Sequence, residues 1–142
     1  MTPEDHADFV RRFENWWQRP DPKTLGSTLA EDVVLIQPTT ARTKGLTAAQ
    51  RSFERLLALT PDLHAAVHRW AGHENHVFIE FTMTGTLEGK TLSWENVDRF
   101  TLNDDGLATE RVNFHDSVAV AAKLISHPQG WPQIYRSGLL KR

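Results

Sequence analysis

Cysteine is absent from the 142 residues, so there is no disulfide framework, no thiolate metal site and no thiol nucleophile. Chemistry falls to carboxylates, histidines, hydroxyls or a borrowed cofactor. Long apolar runs are missing too. The longest, Val118 to Ala122, is far below the roughly 18 residues of a membrane span, and the start Met1-Thr2-Pro3-Glu4-Asp5 is acidic without an apolar core. Neither sign of charge dominates: 18 acids against 16 bases leave a net −2, which is no basic footprint for nucleic acid. No phosphate loop, serine triad, dinucleotide fingerprint or internal repeat occurs. These absences point to a cytoplasmic chain that works without nucleic acid or membrane. With 39% hydrophobic residues it has the length and composition of one compact domain.

What is present orders itself along the chain. Thr2-Pro3-Glu4-Asp5 supplies a cap, a first-turn proline and acids, and Phe9, Phe13, Trp16 and Trp17 follow at helical spacing, predicting a helix that ends before Pro20. Asp21-Pro22 restarts a short helix with Leu25 and Leu29 on one face. Val33 to Ile36 reads as a buried strand, and Thr47 with Gln50 as the capping box of a helix carrying Phe53, Leu56 and Leu57. From His64 to Asp116 the pattern alternates between turn signals. It predicts four antiparallel strands, near 64–70, 76–86, 91–102 and 107–116. Ser117 then caps a helix to about Ser126, which closes a single domain over 1–126 and leaves a tail over 127–142. Helices first and a meander afterwards mean α+β, with helices on one face of a curved sheet.

The last hairpin predicts a site. Asp104-Asp105-Gly106 suits a three-residue loop pairing Asn103 with Leu107. Continued unbroken, that register puts Leu92, Trp94, Asn96, Asp98, Phe100 and Leu102 on one face with Ala108, Glu110, Val112, Phe114 and Asp116. The opposite face takes Glu95, Arg99, Arg111, Asn113 and His115, with the two arginines facing each other. Three acids on an apolar strand face call for a cavity or for donors, because an unpaired buried carboxylate is costly. The plain reading of Asp116 is a cap for the following helix, and that of Asp98, Asn96 and Glu110 is partners for helix ends or arginines. His64 with His68, and His73 with His76, have zinc-like spacing but lack a placed third ligand, so no metal is assigned.

Val77-Phe78-Ile79-Glu80-Phe81-Thr82-Met83-Thr84-Gly85-Thr86, Val97-Asp98-Arg99-Phe100 leading to Asp105-Gly106, and Asn113-Phe114-His115-Asp116, in this order of elements, resemble the nuclear transport factor 2-like superfamily, in its polyketide-cyclase (SnoaL-like) branch. The resemblance covers residues 5 to 126. It implies a cone-shaped α+β barrel, a curved antiparallel sheet wrapped around the N-terminal helices over an apolar pocket, and a homodimer formed through the sheet. It also implies cofactor-free chemistry, with Asp116 at the place of an acid/base aspartate. Two specific activities of such relatives lack their residues here. The second meander strand, His76 to Glu80, has no arginine and aspartate two apart, as epoxide hydrolases have, and the only tyrosine is Tyr135, far from the first helix where ketosteroid isomerases keep one.

Two readings follow. In the first, the chain is a cofactor-independent isomerase, cyclase, hydratase or hydrolase on a small apolar molecule. Asp116 moves the proton, Asn96 orients it or a water, Asp98 and Glu110 form a second polar anchor, and Trp94, Phe114, Trp17 and Leu57 shape the pocket. In the second, it is a non-catalytic dimeric ligand-binding or interaction domain of the same fold.

Overall fold

A computed structural model describes residues 1–38, 40–126, 129 and 131–137. Helix α1 (Pro3–Gln18) starts at a full capping box: Thr2 accepts from the Asp5 amide, and Asp5 accepts from the Thr2 amide. Its stripe of His6, Phe9, Val10, Phe13, Trp16 and Trp17 is buried. A 3-10 turn over Pro22–Ser27 follows, and strand β1 (Leu29–Ile36) begins directly after it, so Leu29 belongs to the sheet rather than to a helix shared with Leu25. Strand β2 (Thr43–Lys44) is a two-residue edge the sequence did not signal. Helix α2 (Leu46–Leu59) starts from Gly45 at φ +86 and has no side-chain cap, so the box expected from Thr47 and Gln50 does not form.

The meander consists of β3 (His64–His73), β4 (His76–Leu87), β5 (Lys90–Leu102) and β6 (Ala108–Phe114). One six-stranded sheet results, in the order β2-β1-β6-β5-β4-β3. The meander pairings are antiparallel, whereas β1 runs parallel to β6, the junction that ties the first half of the chain to the last strand. Helix α3 (Ser117–Ile125) follows, capped by Asp116 rather than Ser117: Asp116 Oδ1 accepts from the amides of Val118 and Ala119, both at 3.0 Å. Helix α4 (Trp131–Ser137) lies against α2. Of the tail expected over 127–142, residues 127, 128, 130 and 138–142 lie outside the described residues.

The core sits between α1, α2 and the concave face of the sheet. Phe9 and Phe13 meet Phe100 at 4.9 and 5.6 Å between ring centroids, Phe13 meets Phe81 at 5.3 Å, and Trp16 meets Phe53 at 5.3 Å, all edge-to-face. Each such ring, taken out of water, contributes on the order of 2 kcal/mol. Among the described residues no helix is long and apolar enough to cross a membrane.

The β5–β6 hairpin closes as read. Gly106 takes φ +71, the Gly106 amide donates to Asn103 O, the Asn103 amide donates to Leu107 O, and Leu102 stands opposite Ala108. One step further the ladder shifts. Thr101 pairs with Glu110, which leaves Thr109 as an extra residue bulged out of β6, its hydroxyl donating to Thr101 O at 3.2 Å. From there on the pairing runs Phe100 with Arg111, Asp98 with Asn113 and Val97 with Phe114. The strand has two faces, so one bulged residue exchanges them.

Candidate functional site

The bulge turns Arg111, Asn113 and His115 onto the concave face, and turns Glu110, Val112 and Phe114 outward. This corrects the faces expected from the unbroken hairpin. Glu110 pairs with Arg99 at 2.9 Å on the outer face, Phe114 is 51% exposed, and Arg99 stands opposite Val112 rather than opposite Arg111. Asp116 lies exposed at the start of α3, its Oδ1 engaged by the helix amides. His115 is not the partner of Glu95; Glu95 accepts from the Thr82 hydroxyl at 2.8 Å, beside His68, on the outer face.

Asp98 and Asn96 are on the concave face, as expected, and now have partners there. Asp98 is fully buried. Arg111 Nε donates to its Oδ2 at 2.6 Å and Asn113 Nδ2 donates to its Oδ1 at 2.7 Å, so both carboxylate oxygens are held. Asn113 Nδ2 also donates to Asn96 Oδ1 at 3.2 Å, and Asn96 in turn donates to Trp94 O at 3.3 Å. With its amide nitrogen directed that way, Asn113 offers its oxygen to His115 Nδ1. The imidazole therefore carries its proton on Nδ1 and leaves Nε2 as an acceptor. Desolvation, and after it the Arg111 charge, hold the His115 pKa below its ordinary 6.5, against opposing pulls from Asp98 and Asp116. His115 is neutral at pH 7.

At the other end of this row Arg111 enters the aromatic core, its guanidinium carbon 5.9 Å from the centre of the Phe53 ring. It is the one charged group lining a cavity of about 20 Å³ walled by Phe13, Trp16, Trp17, Phe53 and Phe100, with Leu25, Thr28 and Leu29 closing the side. A space of that size holds a single water. Of the expected pocket residues, Trp17 lines it, whereas Trp94 and Leu57 are half-buried elsewhere against the core and Phe114 faces away.

The sequence reading missed Arg111, Asn113 and His115 as site residues. The signal was available. Two arginines placed opposite each other on neighbouring strands are destabilising, and the shift of one residue gives each its own acid: Arg99 takes Glu110 and Arg111 takes Asp98. His64 meets Asp62 O and His76 meets Thr101, and among the described residues no group of three or more His, Cys, Asp or Glu could hold a metal.

With this geometry in view, known proteins can be compared. The model of the SnoaL-like domain family matches residues 10–111, most of the chain. The chain belongs to that family. The SnoaL-like domain has the nuclear transport factor 2-like fold, also found in solved structures. A candidate SnoaL-like polyketide cyclase from Jannaschia sp. CCS1 is 20% identical, with TM-score 0.73, covering 85% of this chain and 93% of that one. An epoxide hydrolase of the LEH-like type from M. tuberculosis is 18% identical, with TM-score 0.73, covering 93% and 96%. TerC, crystallised with polyporic acid, is 17% identical, with TM-score 0.74, covering 83% and 96%. No curated protein matches the chain in sequence. One fold thus carries a candidate polyketide cyclase and an epoxide hydrolase.

Proposed function

We propose that this SnoaL-like domain binds a small, mostly apolar organic molecule along the concave face of its sheet and exchanges a proton with it through His115. The observation that carries the reading is the row Arg111–Asn113–His115 backed by the buried Asp98. A buried ion pair is a poor way to stabilise a core, since apolar residues of the same volume do as well or better. Its presence among aromatic rings is better explained by what it holds in place. Asp98 orients Asn113, Asn113 fixes the His115 tautomer, and Nε2 is left to take a proton at neutral pH. Asp98 is then a positioning residue, and Asn96 steadies the same amide. Asp116, fixed as a helix cap, takes no part in this scheme.

Proton exchange is testable with phenylacetone in deuterium oxide, followed by NMR. His115 Nε2 removes a proton from the carbon next to the carbonyl, the C–H electrons pass into the enolate, and reprotonation from deuterated imidazolium leaves deuterium on carbon. The expected result is exchange faster than in buffer, with His115→Gln losing about 10²-fold or more. Exchange at the buffer rate contradicts the enzymatic reading.

The small size of the cavity favours a second reading, a non-catalytic ligand-binding or interaction domain of the same fold. It is distinguished by ligand stabilisation that is equal in the parent and His115→Gln, without exchange in either. In both readings two copies pair through the outer face, where Phe78, Val97 and Phe114 are 41%, 37% and 51% exposed. Sedimentation of Phe114→Glu should give a monomer where the parent gives a dimer.

A further inference from the structure

We propose that the side of the molecule formed by β2, α2 and α4 docks on an anionic membrane surface, with Arg51 and Arg55 meeting lipid headgroups and Trp131 and Tyr135 entering the interface. The inference goes beyond the reading above and does not depend on it.

The net charge of −2 conceals how unevenly the charges are placed along the chain. From Arg42 to Arg55 four bases, Arg42, Lys44, Arg51 and Arg55, stand with one acid, Glu54. From Ser117 to Arg142 there are four more, Lys123, Arg136, Lys141 and Arg142, and no acid at all. These two stretches hold eight of the 16 bases and one of the 18 acids, so the remainder of the chain is strongly acidic. The fold joins them. Helix α2 packs against β2 and also against α4, which gathers Arg42, Lys44, Arg51, Arg55 and Arg136 around one helix, all of them exposed. The stripe of Leu46, Ala49 and Phe53 turns the other side of α2 into the core, and Arg51 and Arg55, four residues apart, stand one turn above each other on the open side.

These bases lack acids of their own. Elsewhere Arg11 and Arg12 pair with Asp8, Arg69 with Glu80, Arg99 with Glu110 and Arg111 with Asp98. Among the described residues no ion pair reaches Arg42, Lys44, Arg51, Arg55 or Arg136. Like charges one turn apart repel each other, and an anionic surface relieves that repulsion while attracting the whole group.

The exposed apolar residues decide what kind of surface it is. Trp131 and Tyr135 are one turn apart on α4, 49% and 78% exposed, beside Arg136. Such rings next to bases suit the boundary between headgroups and acyl chains. The stretch after Ser117 is also rich in aliphatic residues, among them Val118, 79% exposed, Val120, Ile134 and Leu139. A nucleic acid would use the bases and the rings but gains nothing from aliphatic side chains. The missing span and the small net charge, on which the expectation of a chain working without a membrane rests, do not bear on adsorption to a surface.

The test is co-sedimentation of the full chain with vesicles of phosphatidylcholine alone and with about 30% phosphatidylserine, at about 0.1 M and about 1 M salt, where charges are screened over about 10 and about 3 Å. The parent should bind the phosphatidylserine vesicles at least about tenfold better than the neutral ones and lose most of that preference in high salt. Arg51→Gln/Arg55→Gln should weaken binding about 25-fold, at about fivefold per base, and Tyr135→Ser should weaken it at both salt concentrations. Arg69→Gln, on the outer face of the sheet, should leave it unchanged. All four positions are exposed, and an unaltered thermal midpoint checks that each variant is folded. No binding by the parent, equal binding to both kinds of vesicle, or binding untouched by Arg51→Gln/Arg55→Gln overturns the proposal. Binding of a single-stranded RNA without binding of vesicles also overturns it, and gives the basic side to a nucleic acid instead.

Discussion

Asp98 stands opposite Asn113 across the β5–β6 ladder, and the Asn113 amide donates to its carboxylate at 2.7 Å. That cross-strand pair exists only because Thr109 is bulged out one turn earlier. On an unbroken hairpin Asn113 would face solvent, and Asp98 would be buried without either of its donors. The bulge therefore positions the whole concave polar row, and the account of this domain as a ligand site depends on it.

The ion pair beneath the row should be strongly coupled. Asp98→Asn leaves the Arg111 charge in the core, and Arg111→Met leaves the Asp98 carboxylate there, each costing about 3–5 kcal/mol in urea unfolding. The double variant should cost clearly less than the sum. Additive losses would mean that the two charges are solvated independently.

Deleting Thr109 should be far more damaging than replacing it. Thr109→Ala loses one hydrogen bond to Thr101 O, about 1 kcal/mol. The deletion removes the extra residue, drives Glu110, Val112 and Phe114 toward the core and expels Arg111 and Asn113. Loss of cooperative unfolding is expected for the deletion alone. A deletion as mild as the alanine variant would contradict the register.

Much of the scaffold was legible because it follows from period and punctuation. The Thr2 capping box, the aromatic stripe of α1, the four meander strands and the Asp104-Asp105-Gly106 loop all appear where the sequence places them. The curved sheet over the helices follows from that order. What was not legible depends on a single backbone step. A bulge at Thr109 carries no glycine and no proline to announce it, so the unbroken register places Phe114 and Glu110 inward and Arg111 and His115 outward, and the facing of Arg99 with Arg111 is the trace of the shift. Asp98 and Asn96 keep the face the sequence assigns them, since the shift lies in β6 and β5 pairs with β4 without one. The parallel pairing of β1 on β6 is likewise a tertiary outcome, since it joins segments over seventy residues apart.

At the far edge of the sheet, Gly72 is needed for space. A Cβ there would lie 2.1 Å from Nδ1 of His6, whose Nε2 donates to Glu74 O at 2.9 Å and so locks α1 to the β3–β4 turn. Gly72→Ala should cost about 1–3 kcal/mol through overpacking. In a His6→Ala background the same change should cost much less. Equal cost in both backgrounds would show that His6 is not the obstacle.

Stability should also carry the signature of His115. Its folded pKa lies below 6.5, so the unfolded chain binds the proton more readily, and stability rises with pH between the folded pKa and 6.5. The contribution is fully present above 6.5 and is lost as pH falls through that window. His115→Gln should flatten this part of the pH profile. An unchanged slope in the variant would assign it to other groups.

The most direct test of the inward row is the nitrogen-15 NMR titration of the His115 ring, assigned by its loss in His115→Gln. An inward imidazole bonded to Asn113 predicts a proton on Nδ1 and titration below pH 6.5. A ring protonated on Nε2 that titrates at or above 6.5, as a freely solvated histidine on the outer face does, would contradict the account.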